Sequence, residues 1–109
     1  VIGFAGDAGF YYHMAEMETA ARCGLNAVMV VHNNYSGGVA ESAAFEKDVN
    51  LANVANNMGC KGFRVEKPDA IRDALDKALA CGRPAIVEII GNAAIRAKRA
   101  WAPTGVTGE

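Results

Sequence analysis

Two short apolar runs near the start of the chain, residues 1–5 (VIGFA) and 27–32 (AVMVVH), constrain its fold more than any other feature. Runs of this length without polar alternation are typical of parallel strands that are buried on both faces. Between them, apolar residues recur at helical spacing from position 14 to 21, and Gly24 is placed to end the helix in a left-handed conformation. The pattern predicts a β-α-β unit with one crossover helix.

The alternation of helix and strand continues as far as residue 90. The later predicted elements are a helix at 47–58, a strand at 62–66 (GFRVE), a helix at 68–81 and a strand at 85–90 (AIVEII). We therefore expect an α/β fold, a three-layer αβα domain with a mostly parallel sheet. This domain is predicted to span residues 1–92, and a C-terminal helix or tail is predicted at 93–109.

Polar residues follow each of the first two predicted strands. The triplet Gly6-Asp7-Ala8 follows the first strand, and the pair Asn33-Asn34 follows the second, with 24 residues between triplet and pair. Neighbouring parallel strands present their carboxyl ends at the same edge of the sheet, which is where open α/β sheets bind ligands. We therefore expect Asp7 and Asn34 to emerge at one edge.

The oxygen atoms expected at this edge suit Mg²⁺. Asp7 offers an anionic oxygen, Asn34 a neutral one, and the loop that begins at Tyr35 offers backbone carbonyls. Magnesium takes one or two carboxylates and fills its remaining positions with phosphate oxygens and water, so a single aspartate predicts a phosphorylated ligand. Gly6 and Gly9 leave the backbone uncrowded, which would let amide groups approach such an anion closely.

At this spacing, the triplet and the asparagine pair resemble the thiamine diphosphate motif, in which Gly-Asp-Gly or Gly-Asp-Ala precedes Asn-Asn. The resemblance implies the thiamine diphosphate-binding fold, with Asp7, Asn34 and the backbone carbonyl of Ser36 as the Mg²⁺ ligands. It implies thiamine diphosphate and Mg²⁺ as the cofactors. The cofactor-binding residues are then expected to be Gly6, Asp7, Ala8, Gly9, Asn34, Ser36 and Gly37.

Residues 16–22 (EMETAAR) resemble the acetolactate synthase and 2-oxo-acid or oxalyl-CoA decarboxylase branch of that family. This implies an acetolactate synthase-like enzyme that decarboxylates or joins 2-oxo acids. The alternatives are a 2-oxo-acid or oxalyl-CoA decarboxylase, which is a lyase, and a non-catalytic cofactor-binding module. Tyr12-His13 departs from the pair that many relatives carry near the start of this helix, which leaves the substrate open and makes His13 a candidate substrate-facing residue.

The cofactor-binding domain of this family normally extends further on its N-terminal side, so we expect this chain to be a fragment. The family's activating glutamate belongs to a separate pyrimidine-binding domain, and no residue here substitutes for it. The isolated chain is therefore expected to be inactive, and we assign no catalytic residue in it. The expected partners are the remaining domains, a second subunit of a homo-oligomer, and a 2-oxo acid or acyl-CoA substrate.

Composition disfavours several other classes of protein. A net charge of −1 argues against a nucleic-acid partner, and no apolar run approaches the roughly 18 residues of a membrane span, so we expect a cytoplasmic protein. The glycines at 3, 6 and 9 do not form the dinucleotide-binding pattern GxGxxG. The spacing of Cys23, Cys60 and Cys81 suits neither a disulfide framework, a zinc site nor the iron–sulfur site of a ferredoxin-linked oxidoreductase.

Overall fold

The computed structural model describes residues 1–37 and 44–95, and helices alternate with strands within these ranges. The strands are β1 (Ile2–Gly6), β2 (Val28–Asn33), β3 (Lys61–Val65) and β4 (Ala85–Ile90). The helices are α1 (Asp7–His13), α2 (Glu16–Arg22), α3 (Leu51–Asn57) and α4 (Ile71–Ala80), with a 3-10 turn at Pro68–Ala70 before α4. From position 96 onward, the predicted tail lies outside the described residues.

The four strands form one sheet in the order β1-β2-β4-β3, and every pairing is parallel. Each connection must therefore cross over the sheet, and the helices lie on these connections. The predicted α/β fold class is confirmed. The observed strands β1, β2 and β3 are displaced by one residue from the predicted ones, and β4 has the predicted bounds.

Apolar clusters cover both faces of the sheet. On one face α1, α2 and α3 pack around Val31 and Leu51, and on the other face α4 packs on Val87. These three side chains are fully buried, and burial of each stabilises the fold by roughly 1.5–3 kcal/mol. Because both faces are covered there, the inner strands β2 and β4 need apolar residues at successive positions, which explains their unbroken apolar runs. The prediction that the first run is also buried on both faces is wrong, since β1 lies at the edge of the sheet and its Ile2 and Phe4 are exposed.

The prediction of a single crossover helix between β1 and β2 is wrong. The chain turns at Met14-Ala15, and the Met17 amide donates to the Met14 carbonyl, only three residues earlier, at 3.2 Å. The backbone at this turn stays in the right-handed helical region, so residue spacing did not reveal the break. The turn allows Phe10 of α1 and Met17 of α2 to pack into the same cluster.

The later helices are also shorter than predicted. Asn50, placed inside a helix at 47–58 by the sequence, instead has extended backbone, and its side chain caps α3 by accepting the Asn53 N–H at 2.8 Å. The helix predicted at 68–81 divides into the 3-10 turn that contains Pro68 and α4. None of the helices in the described ranges is long and apolar enough to cross a membrane.

The close approach of α3 to β3 depends on Gly62. A Cβ atom at this position would overlap the backbone carbonyl of Ala52 in α3. Because a backbone group cannot move aside as a flexible side chain can, the helix and strand can pack at this distance only with glycine at 62. The packing also fixes the position of Ala52 in the first turn of α3, where its amide donates to a buried carboxylate.

We expect Gly62→Ala to lower the free energy of unfolding by about 1–3 kcal/mol, because α3 must shift away from the sheet. Urea denaturation followed by circular dichroism measures this change. The matched control is Gly9→Ala in α1, where a Cβ would meet its nearest neighbour, Ala5 Cβ, at 4.0 Å. Alanine in an open helical position should raise stability by up to about 1 kcal/mol. Equal urea midpoints for Gly62→Ala and the wild type would contradict the account.

Candidate functional site

The register of β1 and β2 brings the polar ends of these two strands to the same edge. Gly6 pairs with His32, so Asp7 and Asn33 each follow at the next position along neighbouring parallel strands. Gly6 itself has extended backbone and precedes α1, which begins at Asp7. The geometry therefore places the triplet and the asparagine pair side by side, as the sequence predicts for parallel strands.

The Asp7 carboxylate is buried at this edge, with 4% of the residue exposed. Its Oδ1 atom accepts the Ala8 backbone N–H at 2.7 Å. Its Oδ2 atom is buried and has no hydrogen-bond partner among the residues that the structure describes. Ion pairs within the described ranges involve other carboxylates. A buried anionic oxygen without a partner is costly, so this atom is the clearest unmet bonding demand in the structure.

The two asparagines of the pair have different environments. Asn33 is 1% exposed; its Nδ2 donates to Glu88 Oε1 at 2.7 Å and its Oδ1 accepts the Tyr35 N–H at 3.1 Å. Asn34 is half-buried, and its Oδ1 accepts both the N–H of Ser36 at 3.0 Å and the hydroxyl of Ser36 at 2.7 Å. Asn33 thus links the end of β2 to β4, while the contacts of Asn34 with other described residues lie within its own turn.

Glu88 is a component of this region that sequence analysis missed. It lies in the middle of β4, is fully buried, and accepts hydrogen bonds from Asn33 Nδ2, from the Ala52 N–H at 3.1 Å and from Arg64 Nη1 at 3.3 Å. The sequence carries one signal of its presence, a charged residue inside the apolar run AIVEII. A glutamate inside a buried strand must be paired, and that requirement predicts partners without identifying them.

Arg64 connects this carboxylate to the turn after β2. Its Nη2 donates to the Tyr35 hydroxyl at 3.0 Å, and its Nε donates to Glu66 at 3.3 Å. Partial burial lowers the pKa of Arg64, but the hydrogen bonds to Tyr35 and Glu66 and the charge of Glu88 outweigh that effect and raise it overall. The guanidinium therefore remains charged beside Glu88 at any physiological pH.

Tyr11 of α1 has a hydroxyl whose pKa responds to two buried carboxylates. Its ring stacks on Phe45, with the ring centroids 4.3 Å apart and the planes inclined by 23°. Burial, and then the negative charges of Glu88 and Asp7, raise the pKa of the Tyr11 hydroxyl. The hydroxyl stays protonated and is available as a donor.

The remaining predicted site residues lie on the same two segments. Gly6 and Gly9 are exposed, and Ala8 is partly buried in the first turn of α1. Ser36 and Gly37 are partly buried in the turn after β2, where Gly37 has φ of +60°. Within the described part of the chain, no cluster of three or more His, Cys, Asp or Glu side chains could hold a metal ion. Any ion bound here would therefore need oxygen donors of other kinds besides Asp7, from amide, backbone, phosphate or water oxygens.

The position predicted for His13, near the start of a helix, is wrong. His13 is the last residue of α1, roughly 9 Å along the helix axis from Asp7. It is exposed and lines an apolar groove of about 400 Å³ together with Phe10 and Met17. The difference arises because α1 begins at Asp7, directly after β1, whereas the helical spacing in the sequence begins at position 14; the break at Met14-Ala15 then ends α1 at His13.

Comparisons with known proteins identify relatives of the chain. A family model described as "Thiamine pyrophosphate enzyme, C-terminal TPP binding domain" matches residues 1–89. The 2-hydroxyacyl-CoA lyase of Arabidopsis thaliana is 31% identical, over 83% of this chain and 18% of the lyase. The acetolactate synthase of Bacillus subtilis (strain 168) is 26% identical, over 82% of this chain and 17% of the synthase. The chain thus spans less than a fifth of the length of either relative.

A solved structure shares the fold. The thiamine diphosphate-dependent 4-hydroxybenzoylformate decarboxylase of Rhodococcus jostii RHA1 superposes with a TM-score of 0.74 at 22% identity. The superposition covers 84% of this chain and 20% of the decarboxylase. At this identity the likeness concerns the fold alone, and it supports the α/β architecture with its parallel sheet.

The different contacts of the two asparagines lead to opposite expectations for stability. Asn33→Ala leaves the Tyr35 N–H unpaired and removes a donor from Glu88, so we expect the free energy of unfolding to fall by about 2–4 kcal/mol. Asn34→Ala removes only contacts within its own turn and should cost at most about 1 kcal/mol. Urea denaturation of the two variants side by side measures the difference. Equal losses, or a larger loss for Asn34→Ala, would contradict the assignment.

Proposed function

We propose that this chain, a member of the thiamine pyrophosphate enzyme family, anchors the diphosphate of its cofactor through a Mg²⁺ ion. The cofactor, thiamine pyrophosphate, is also called thiamine diphosphate. The family predicted from the triplet and the asparagine pair is confirmed by the family model. The cofactor follows from the family, whereas the ion and its ligands are the proposal.

The observation that carries the proposal is the unpaired Oδ2 atom of Asp7. A carboxylate buried to this degree would normally be neutralised by a cation or saturated with hydrogen bonds. A divalent ion at this atom would supply the missing partner, and the phosphates of the cofactor would complete its coordination. The unpaired oxygen of Asp7 would thereby become the binding determinant of the site.

The proposed ligands are Asp7, the side chain of Asn34 and the backbone carbonyl of Ser36. They are all oxygen donors, and one carboxylate among them matches the preference of Mg²⁺ for few protein charges when phosphate is also bound. The Asn34 oxygen already accepts two hydrogen bonds from Ser36, which occupy both of its lone pairs. We therefore propose that the Ser36 hydroxyl rotates away when the ion binds.

The remaining residues of the proposed site shape the space around the diphosphate. Gly6, Ala8, Gly9 and Gly37 carry little or no side chain, so backbone amides at the two segments could approach phosphate oxygens closely. Such contacts, together with the ion, would fix the position of the cofactor relative to the rest of the enzyme. This is catalysis by positioning, in which the chain holds a reactant without exchanging protons with it.

The thiamine cofactor, when bound, supplies a carbanion-stabilising centre for cleaving or forming bonds next to a carbonyl group. We propose that the whole enzyme acts on 2-oxo acids in the manner of an acetolactate synthase, by decarboxylation, carboligation or both. The alternative is a decarboxylase or lyase, and the 31% identical 2-hydroxyacyl-CoA lyase keeps that class in consideration. Further domains and a second subunit are proposed to supply the activating glutamate and the substrate contacts.

Calorimetric titration of thiamine diphosphate into the chain, with and without Mg²⁺, tests the proposed site. We expect binding that requires the ion. Asp7→Asn keeps the size of the side chain and removes its charge. We expect the affinity for the cofactor with Mg²⁺ to fall by more than about 10–100-fold, which is the loss typical when a residue that supports a metal ligand, rather than the ligand itself, is removed.

Asp69→Asn is the matched control, because Asp69 is exposed in the 3-10 turn before α4 and should not affect binding. Circular dichroism should show that both variants fold as the wild type does. Metal-dependent binding that survives in Asp7→Asn would contradict the assignment of Asp7. Binding that Mg²⁺ does not affect would contradict the role of the ion.

A further inference from the structure

We propose that Glu88 is a positioning residue, which together with Arg64 holds the turn of Asn33 to Ser36 in the conformation that presents its oxygens to the cofactor site. The consequence for cofactor affinity rests on the proposed function, whereas the consequence for the turn does not. Glu88 lies on β4, two strands away from Asp7, and none of its own contacts in the described ranges is with a proposed ligand.

The Glu88 carboxylate joins three separate parts of the fold. Its Oε1 accepts from Asn33 on β2, its Oε2 accepts from the backbone of Ala52 in α3, and Arg64 on β3 contacts both oxygens at 3.3 Å. The carboxylate is completely excluded from solvent, while the Arg64 side chain keeps 26% of its surface exposed. Each group that forms a hydrogen bond with the carboxylate in the described ranges is a donor, which is the arrangement a buried anion requires.

Stability alone does not account for a glutamate at this position. Its neighbours along β4, Ile86, Val87 and Ile89, are apolar, and a fold with apolar residues in place of both Glu88 and Arg64 would need no buried ion pair here. A buried ion pair often contributes no more stability than an apolar replacement of similar volume. The carboxylate instead fixes the orientation of each donor that forms a hydrogen bond with it.

The first connection to the turn runs through Asn33. Since the carboxylate can only accept, it binds the Nδ2 group of Asn33 and thereby directs the Oδ1 atom toward the opposite side. That oxygen accepts the N–H of Tyr35 at 3.1 Å. The orientation of a single amide thus transmits the position of Glu88 to the backbone of the turn.

The second connection runs through Arg64. Its guanidinium is held by Glu88 on one side and donates to the Tyr35 hydroxyl at 3.0 Å on the other. The backbone of Tyr35 has φ of +60°, a conformation that non-glycine residues seldom adopt and that persists only where surrounding contacts enforce it. Both connections therefore converge on the one described non-glycine residue with such a backbone.

Tyr35 lies between Asn34 and Ser36, two of the three proposed ligands. Fixing its backbone sets the direction of the chain on both sides, and so sets where the Asn34 side chain and the Ser36 carbonyl point. A site that is formed before its ligand arrives avoids the entropic cost of ordering a loop during binding. Loss of Glu88 should therefore loosen the turn and weaken cofactor binding even in a protein that remains folded.

Glu88→Gln tests this inference in the 109-residue chain. The side chain keeps its shape, but every orientation of the new amide points its NH₂ group at a donor. Nitrogen-15 relaxation should give backbone amide order parameters of about 0.85 for Tyr35 and Ser36 in the wild type and below about 0.6 in the variant. Val31 and Val87 in the sheet should stay rigid in both. Glu66→Gln is the matched control, because it removes the exposed partner of the same guanidinium.

A second variant keeps the test valid if Glu88→Gln does not fold. Tyr35→Phe leaves the buried contacts of Glu88 unchanged and removes only the hydroxyl that Arg64 contacts. Its control is Tyr12→Phe, at a tyrosine that is 83% exposed. Calorimetry with Mg²⁺ and thiamine diphosphate should show at least about tenfold weaker binding for Tyr35→Phe and Glu88→Gln, equivalent to about 1.4 kcal/mol, and wild-type affinity for both controls.

The two readouts separate this inference from the proposed function. One outcome would overturn the positioning role alone. In it, the wild-type chain binds the cofactor, and folded Glu88→Gln or Tyr35→Phe keeps the wild-type affinity and a rigid turn. A wild-type chain that does not bind would contradict the proposed function, and relaxation would then decide the positioning role. A turn that loosens in the variants supports that role, and a turn that stays rigid overturns it.

Discussion

β1 and β2 run parallel with Gly6 opposite His32, and the functional interpretation depends on this pairing. It brings two segments that are more than twenty residues apart in sequence to one edge of the sheet. Apolar clusters cover both faces of β2, whereas β1 packs on one face and leaves Ile2 and Phe4 exposed, so the two strands are held by this burial and by their own pairing rather than by the polar groups they present. The edge can therefore carry groups that are unfavourable for stability and suited to binding a ligand.

Two buried carboxylates near this edge differ in how far hydrogen bonds compensate their charge. Glu88 is surrounded by donors from β2, β3 and α3, so its charge is compensated within the fold. Asp7 has one oxygen bonded to its own helix and one left without a partner in the described ranges. We interpret the compensated carboxylate as part of the scaffold and the uncompensated one as part of the binding site. The strained backbone of Tyr35 lies where the scaffold reaches the site.

The sequence predicted the features that depend on local pattern, and missed those that depend on distant contacts. Apolar runs and glycine stops were enough for the parallel α/β fold, and motif spacing was enough for the family. The break at Met14-Ala15 was missed because both sides keep helical backbone angles. The role of Glu88 was missed because Asn33 lies 55 residues away in sequence and Arg64 lies 24 away. Nothing local to a buried glutamate indicates which donors surround it.

The central claim is that the unpaired oxygen of Asp7 is reserved for a metal ion that carries the cofactor phosphates. Mn²⁺ accepts the same kinds of oxygen ligand as Mg²⁺, and its unpaired electrons broaden the NMR signals of nearby nuclei. Titration of Mn²⁺ with thiamine diphosphate into the nitrogen-15-labelled chain tests the claim most directly. We predict that broadening begins at the amides of Asp7, Ala8, Asn34 and Ser36. Broadening centred on exposed acidic residues such as Asp73, with these four amides unaffected, would contradict it.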